Sequence, residues 1–157
     1  MTAGRDALVD GPMRPRLNKE KGIVMVQVSV SATVSVHDGP MLPVGAELQP
    51  DSYVVSGADL DASGGADDSA EIALLPTTGA VALLALSCTG ADGGPATVTV
   101  TPANGATTGD DLTVEGSLLV ANASVLAGLV AGGPRTLTVK NTETTATHVE
   151  VVACLDS

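Results

Sequence analysis

The sequence predicts an all-β protein, an antiparallel β-sandwich or barrel of about eight strands with an extended N-terminal arm. Apolar and polar residues alternate along several short stretches that turn residues separate at regular intervals. The composition agrees, because 44% of the 157 residues are hydrophobic although Trp and Phe are absent and there is one Tyr. Such a core must consist of Ala, Val and Leu, which suit closely packed sheets better than a thick helical core.

The clearest strand covers residues 23–36. Valine recurs at alternate positions from Val24 to Val36, with Ala32 in the one gap, and Gln, Ser or Thr lies between. A period of two predicts one apolar face and one hydroxyl-rich face. A strand edge of this length needs a partner to avoid aggregation. That partner is its own sheet, a sister subunit or another protein's surface.

Residues 37–40 form a turn signal, and residues 41–50 include Pro43 and Pro50. Proline cannot donate to a β-ladder, so this stretch is predicted to be an extended crossing segment and not a ladder-forming strand. Residues 23–50 thus form one unit, a long strand followed by a proline-rich segment.

Residues 51–157 are predicted to form an acidic β-sandwich body. A short strand at 53–55 precedes a loop rich in Gly, Ser and Asp at 56–70. Residues 124–131 are compatible with either a strand or a short helical turn. Further strands are expected at residues 71–75, 80–88, 96–101, 112–121 with a bulge at Gly116, 135–140 and 147–155.

Charge is distributed unevenly along the chain, whose net charge is −11. Residues 1–21 carry five basic residues against three acidic ones, a net +2, and the remainder carries two against fifteen, a net −13. Because the body repels anionic polymers and membranes, we expect neither nucleic acid nor membrane as a partner. Residues 1–22 are predicted to be a basic extended arm that binds a partner, the alternative being a disordered terminus. Its basic residues are Arg5, Arg14, Arg16, Lys19 and Lys21.

One stretch resembles the start of a calcium loop. Asp59, Asp61 and Ser63 alternate, and Gly64 follows at the sixth position. The twelfth position is Ala70, where such loops have a glutamate, and no helical pattern flanks it. A solvated acidic loop is the favoured interpretation, and no metal or cofactor is expected.

Catalytic motifs are not recognisable. His37 and His148 lie outside any motif, and Cys88 lacks neighbouring signature residues. We therefore expect a protein that is not an enzyme. Cys88 and Cys154 lie in apolar stretches and are interpreted as buried free thiols, with a disulfide between them as the alternative.

The order of strands and loops from residue 71 onward resembles the small β-sandwich decoration, or cement, proteins of tailed-bacteriophage capsids. The similarity lies in residues 81–87, 97–101, 133–141 and 149–153. It implies a homo-oligomer, often a trimer, that binds the major capsid protein on the outer surface of the virion without catalysis. It also implies a terminal arm that extends across neighbouring capsid subunits.

Two other functions fit the pattern. An Ig-like adhesion or ligand-binding module of a bacterial surface protein would require export, and residues 1–22 contain no apolar stretch typical of a signal peptide. A tail or baseplate subunit of the same kind of virus has the same sequence features as a capsid protein.

Overall fold

A computed structural model describes residues 27–35, 37, 39–74 and 79–156. Within these residues the chain forms eleven strands and one short helix, which confirms the all-β class. The strands are β1 Val28–Ser35, β2 Met41–Leu48, β3 Ser52–Leu60, β4 Ser69–Ala73, β5 Ala80–Gly90, β6 Thr97–Asn104, β7 Thr107–Thr108, β8 Leu112–Glu115, β9 Ser117–Val120, β10 Thr136–Asn141 and β11 Thr147–Asp156, and the helix is α1 Ala123–Ala127.

Strands β3 to β11 form an antiparallel sandwich. Sheet I has the order β4-β10-β6, with β7 and β8 both pairing with β6. Sheet II has the order β3-β11-β5-β9. The core lies between the sheets, and alternate residues of β6, of β10 and of the first half of β11 are buried there, as a period of two requires. Val98 and Val100 of β6 and Val149 and Val151 of β11, for example, are at most 1% exposed.

Residues 123–127 are helical, which decides between the two predictions for this part of the chain. Asn122 caps the helix, because its side-chain oxygen accepts hydrogen bonds from the N–H groups of Ser124 and Val125, at 3.0 and 3.2 Å. Leu126 is completely buried and joins the core. The helix therefore closes one end of the sandwich.

The prediction of a single strand at residues 112–121 is wrong. The stretch forms two strands, because β8 pairs with β6 in sheet I and β9 pairs with β5 in sheet II. Gly116 lies between them with φ at +70°, outside the β region. The chain therefore crosses from one sheet to the other at this glycine.

The loop predicted at residues 56–70 is also shorter than expected. Strand β3 continues to Leu60 and β4 begins at Ser69, so the loop covers only residues 61–68. β3 pairs with β11 over nine residues, and its small residues alternate in burial like any half-buried strand. The long partner strand thus overrides the weak β propensity of Gly and Ser.

Residues 41–48 form a strand, so the prediction of a crossing segment is wrong. β1 and β2 make an antiparallel hairpin with eight paired positions, and Pro43 lies opposite Thr33. Proline is compatible with an edge strand, where alternate N–H groups point away from the ladder. The predicted strand is confirmed for Val28–Ser35, whereas residues 23–26, Val36 and the basic arm of residues 1–22 lie outside the described residues.

Candidate functional site

The hairpin of β1 and β2, the arm hairpin, has two chemically different faces. Its register pairs Val28 with Leu48 and Val30 with Ala46, and the pattern continues to the turn. Four apolar side chains that the structure describes are therefore placed on one face, called the arm face: Val28, Val30, Leu42 and Leu48. The opposite positions of β1 are Ser and Thr. The predicted two-faced pattern of the strand is thus extended by a second strand of matching pattern.

The arm face is accessible to solvent. Leu42 is 62% exposed, and Val28, Val30 and Leu48 are each partly exposed. Among the described residues, the arm hairpin is a separate two-stranded sheet that is not hydrogen-bonded to sheet I or sheet II. The sandwich of the same chain therefore leaves much of this apolar surface in contact with water.

A second apolar surface lies on the outer face of sheet II, the face that points away from sheet I. Val55, Val152, Ala85 and Leu119 are cross-strand neighbours on four consecutive strands, and this set is called the apolar row. Val55 is 64% exposed and Leu119 is 49% exposed. The row borders a shallow depression of about 270 Å³. Tyr53, which is 56% exposed, lies two residues before Val55 on β3 and therefore on the same face.

The other end of this outer face is polar. His148 Nδ1 lies 2.6 Å from the Asp59 carboxylate, and His148 Nε2 lies 3.8 Å from the Glu150 carboxylate. The hydrogen bond with Asp59 raises the pKa of His148 above its ordinary value, burial acts in the opposite direction, and the negative charges of Asp59 and Glu150 add to the increase. The outer face of sheet II therefore has an apolar end and a charged end.

The calcium candidates Asp59, Asp61 and Ser63 do not converge. Asp59 lies on β3 and contacts His148. The Asp61 carboxylate accepts a hydrogen bond from the N–H of Asp67 at 3.3 Å, so it stabilises its own loop. In the part of the chain that the structure describes, no group of three or more His, Cys, Asp or Glu residues is placed to hold a metal ion.

Asn141, a buried polar residue that no sequence motif marks, holds the loop of residues 61–68 against the end of β10. The amide of Asn141, which is 0% exposed, donates to the carbonyl oxygens of Asp61 and Thr145 at 2.7 and 2.8 Å. Its side-chain oxygen accepts from the Glu143 N–H at 2.9 Å and the Thr147 hydroxyl at 3.2 Å. The one signal in the sequence is an Asn at an inward position of a strand otherwise filled by Leu and Val.

The two cysteines are free and buried. Cys88 lies opposite Val149 in the β5–β11 ladder, whereas Cys154 is five positions farther along β11. That separation is about 17 Å along a strand, far beyond the Cα separation of about 7 Å that a disulfide allows. Burial raises the pKa of the Cys88 thiol to about 11, and burial followed by the charge of Asp156 raises the pKa of Cys154. The interpretation as buried free thiols is confirmed, and the disulfide alternative is excluded by the register.

The three residues that the sequence analysis considered for catalysis and set aside occupy different parts of the molecule. His37 lies in the turn of the arm hairpin, His148 lies on the outer face of sheet II, and Cys88 lies in the core. No family description, curated protein or solved structure matches the chain. In the described ranges, no helix is long and apolar enough to cross a lipid bilayer.

Proposed function

We propose that the protein is a structural protein that decorates the outer surface of a tailed-phage capsid without catalysis. It binds the major capsid protein through its N-terminal segment and displays the acidic sandwich outward. One observation carries the proposal: the chain is divided into an acidic sandwich and a separate arm hairpin, which follows a basic segment in the sequence.

The arm hairpin supports the binding role because it presents two kinds of attachment surface. Its strands form a sheet of two, so each strand has an edge that can add to a strand of another protein. Its arm face adds apolar area next to those edges. The basic residues that precede it, including Arg14, Arg16 and Lys19, favour an acidic partner surface.

The sandwich supports the display role because its negative charge keeps copies apart and in solution. Residues 51–157 carry two basic residues against thirteen acidic ones. The core is small, apolar and free of unpartnered polar side chains among the described residues. Such a body suits a shell surface, where many copies stand side by side without precipitating.

The test is co-sedimentation of the full chain with expanded capsids that lack decoration. The capsids are assembled from the major capsid protein encoded in the same genome. Deletion of residues 1–22 should weaken binding roughly tenfold or more, and so should reversal of charge at Arg14, Arg16 and Lys19. Lys140→Glu, an exposed basic residue of the body, is the matched control and should bind like the wild type.

Equal binding by the deletion variant and the full chain would contradict the proposed role of the arm. Absence of the protein from the shell in virion images, with density on the tail, would replace the capsid role with the tail or baseplate role. Binding of the monomeric protein to bacterial cells or glycans, with none to capsids, would favour the adhesion module.

A further inference from the structure

We infer that the ladder between β3 and β11 carries tension between the arm hairpin and the sandwich, and that its geometry makes it strong in that one direction. A partner bound to any part of the chain before residue 49 pulls on the sandwich through residues 49–51, because the chain is continuous there. The inference concerns resistance to force and not binding, so it does not require a capsid as the partner.

Tension that enters through residues 49–51 acts first on β3, the edge strand of sheet II. These three residues are all that connects β2 to β3. In the part of the chain that the structure describes, β3 has one ladder partner, β11, with which it pairs at nine positions. The resistance of the sandwich to a pull on the arm hairpin is therefore set by the β3–β11 ladder.

The direction of the pull decides how this ladder is loaded. Ser52, where β3 begins, lies opposite Leu155 at one end of the ladder, called the arm end. Leu60, where β3 ends, lies opposite Thr147 at the other end, called the loop end. The arm hairpin leaves at the arm end and sheet II extends from there toward the loop end. A pull on the arm hairpin away from the sandwich therefore acts along β3 and tends to slide it past β11.

Sliding loads all the hydrogen bonds of an antiparallel ladder at the same time. The N–H···O=C bonds lie perpendicular to the strands, so displacement along the strand strains all of them together. A pull that separates the two strands at one end instead loads the terminal bonds, and the bonds break one after another. The β3–β11 ladder should therefore resist a pull along β3 far better than a pull across its arm end.

The strand that receives the force is anchored in the centre of the sandwich. β11 pairs with β5 at ten positions on its other side, and its inward side chains Val149, Val151 and Ala153 are at most 1% exposed. β3 contributes Leu60, which is 2% exposed, to the same core. Removal of β3 thus breaks nine paired positions and exposes part of the core, whereas β11 stays in place.

Further contacts fasten both ends of the ladder. At the arm end the Asp51 N–H donates to the carbonyl oxygen of Leu155 at 3.0 Å, and the neighbouring Pro50 is buried. At the loop end the Asp59 carboxylate lies 2.6 Å from Nδ1 of its cross-strand neighbour His148. Each contact joins β3, or the residue before it, to β11 and adds to the resistance against sliding.

Single-molecule force spectroscopy on the full chain tests the inference with two pairs of attachment points. The two native thiols are buried, so the handles are attached to introduced cysteines at exposed positions. Gln49→Cys with Thr144→Cys places one handle before β3 and the other in the loop before β11, so the pull acts along the ladder. Gln49→Cys with Asp156→Cys places both handles at the arm end, so the pull acts across the ladder.

The first pair should rupture at a force at least about twice that of the second, because all nine paired positions are loaded together in one pull and only the terminal ones in the other. Urea unfolding has no direction, so both pairs should unfold at nearly the same midpoint concentration of urea. A difference in rupture force without a difference in midpoint assigns the strength to the geometry of the ladder and not to overall stability.

Asp59→Asn provides a second readout, because Asp59 contacts β11 at the loop end of the ladder. At pH 6 and constant force, the first pair should rupture about two- to fivefold faster in this variant, the range expected for an exposed ion pair. The second pair should rupture at an unchanged rate, since its ladder opens from the arm end. Glu115→Gln, at an exposed position of β8 in sheet I, is the matched control and should change neither rate.

Equal rupture forces for the two pairs of handles would overturn the inference, and so would a higher force for the pair at the arm end. The outcome is independent of the proposed function, because the handles take the place of the partner. Failure of the full chain to co-sediment with capsids would contradict the proposed function alone, and a weak first pair would contradict this inference alone.

Discussion

At the scale of single residues, Asn141 shows how one polar side chain supports a fold whose core is otherwise apolar. It is buried between the loop of residues 61–68 and the turn before β11, and its amide makes four hydrogen bonds. Its backbone N–H also donates to the carbonyl oxygen of Asp68 at 2.8 Å. A buried amide with every group partnered specifies one arrangement of these connections.

Replacement of Asn141 by Ala should lower the free energy of unfolding by about 2–4 kcal/mol, because buried partners are left without hydrogen bonds. Urea denaturation followed by circular dichroism measures this loss. Asn104→Ala is the matched control, since Asn104 makes one exposed hydrogen bond, to the Ala131 carbonyl oxygen. It should lose no more than about 1 kcal/mol. Equal losses in the two variants would show that Asn141 has no special role.

His148 makes stability depend on pH. Its pKa is raised in the folded state, chiefly by the hydrogen bond with Asp59, so the protonated imidazole stabilises the fold. The contribution is complete below the unfolded pKa of about 6.5 and disappears as the pH rises through the higher folded value. Both side chains are substantially exposed, so the effect should stay below about 1 kcal/mol.

Asp59→Asn should lower the pKa of His148 toward its ordinary value in an NMR titration of the imidazole protons. The difference in stability between wild type and variant should be larger near pH 6 than near pH 8.5, as linkage requires. Glu115→Gln, an exposed acid of sheet I, should leave the titration of His148 unchanged. A His148 pKa that is the same with and without the Asp59 carboxylate would contradict the assignment.

At the scale of elements, Gly116 decides whether residues 112–120 form one strand or two. Its positive φ turns the chain out of sheet I, and an added Cβ would lie 3.0 Å from the Cβ of Pro95. Gly105 has a similar φ of +60° in the turn between β6 and β7, but an added Cβ there would meet no atom within 4 Å. Comparing substitutions at the two glycines therefore distinguishes the cost of backbone strain from the cost of close packing.

Gly105→Ala should lower the free energy of unfolding by about 1 kcal/mol, because an L-residue is strained at positive φ. Gly116→Ala should lower it by about 1–3 kcal/mol more, since the methyl group also displaces Pro95. Thermal and urea unfolding of both variants provides the comparison. Equal stability of the two variants would show that the contact with Pro95 adds nothing to the cost of an alanine at residue 116, where the chain crosses between the sheets.

At the scale of the whole molecule, the sandwich and the arm hairpin differ in how they are stabilised. Each strand of the sandwich except the two-residue β7 packs on a shared core of buried side chains, and β5 and β11 pair over most of their length. The arm hairpin relies on its own ladder and on whatever covers the arm face. Local opening should therefore be far easier in the arm hairpin than in the centre of sheet II.

Amide hydrogen exchange should therefore be fast in β1 and β2 and slow in β5 and β11, because opening of the arm hairpin exposes no part of the shared core. Equal protection of β1, β2, β5 and β11 would contradict this difference.

The all-β class and most strand positions could be predicted because alternation of side chains is a local property of the chain. Residues 28–35 and 147–155 are examples, and the strand from residue 80 was predicted from a continuous apolar run, which is also a local property. The errors occurred where local composition conflicts with pairing. Pro43 suggested that β2 was not a strand, and Gly57 suggested that β3 was a loop, yet each pairs with a long partner strand.

Local patterns along the chain were sufficient to establish the two faces of the first strand, the absence of a recognisable catalytic motif and the separation of a basic start from an acidic body. The partner of that strand, the crossing at Gly116, the role of Asn141 and the alignment of Val55 with Leu119 followed only from the folded structure. The physical reason is that register and sheet membership depend on contacts between residues far apart in sequence. Alternation specifies which face a residue occupies but not which strand lies beside it.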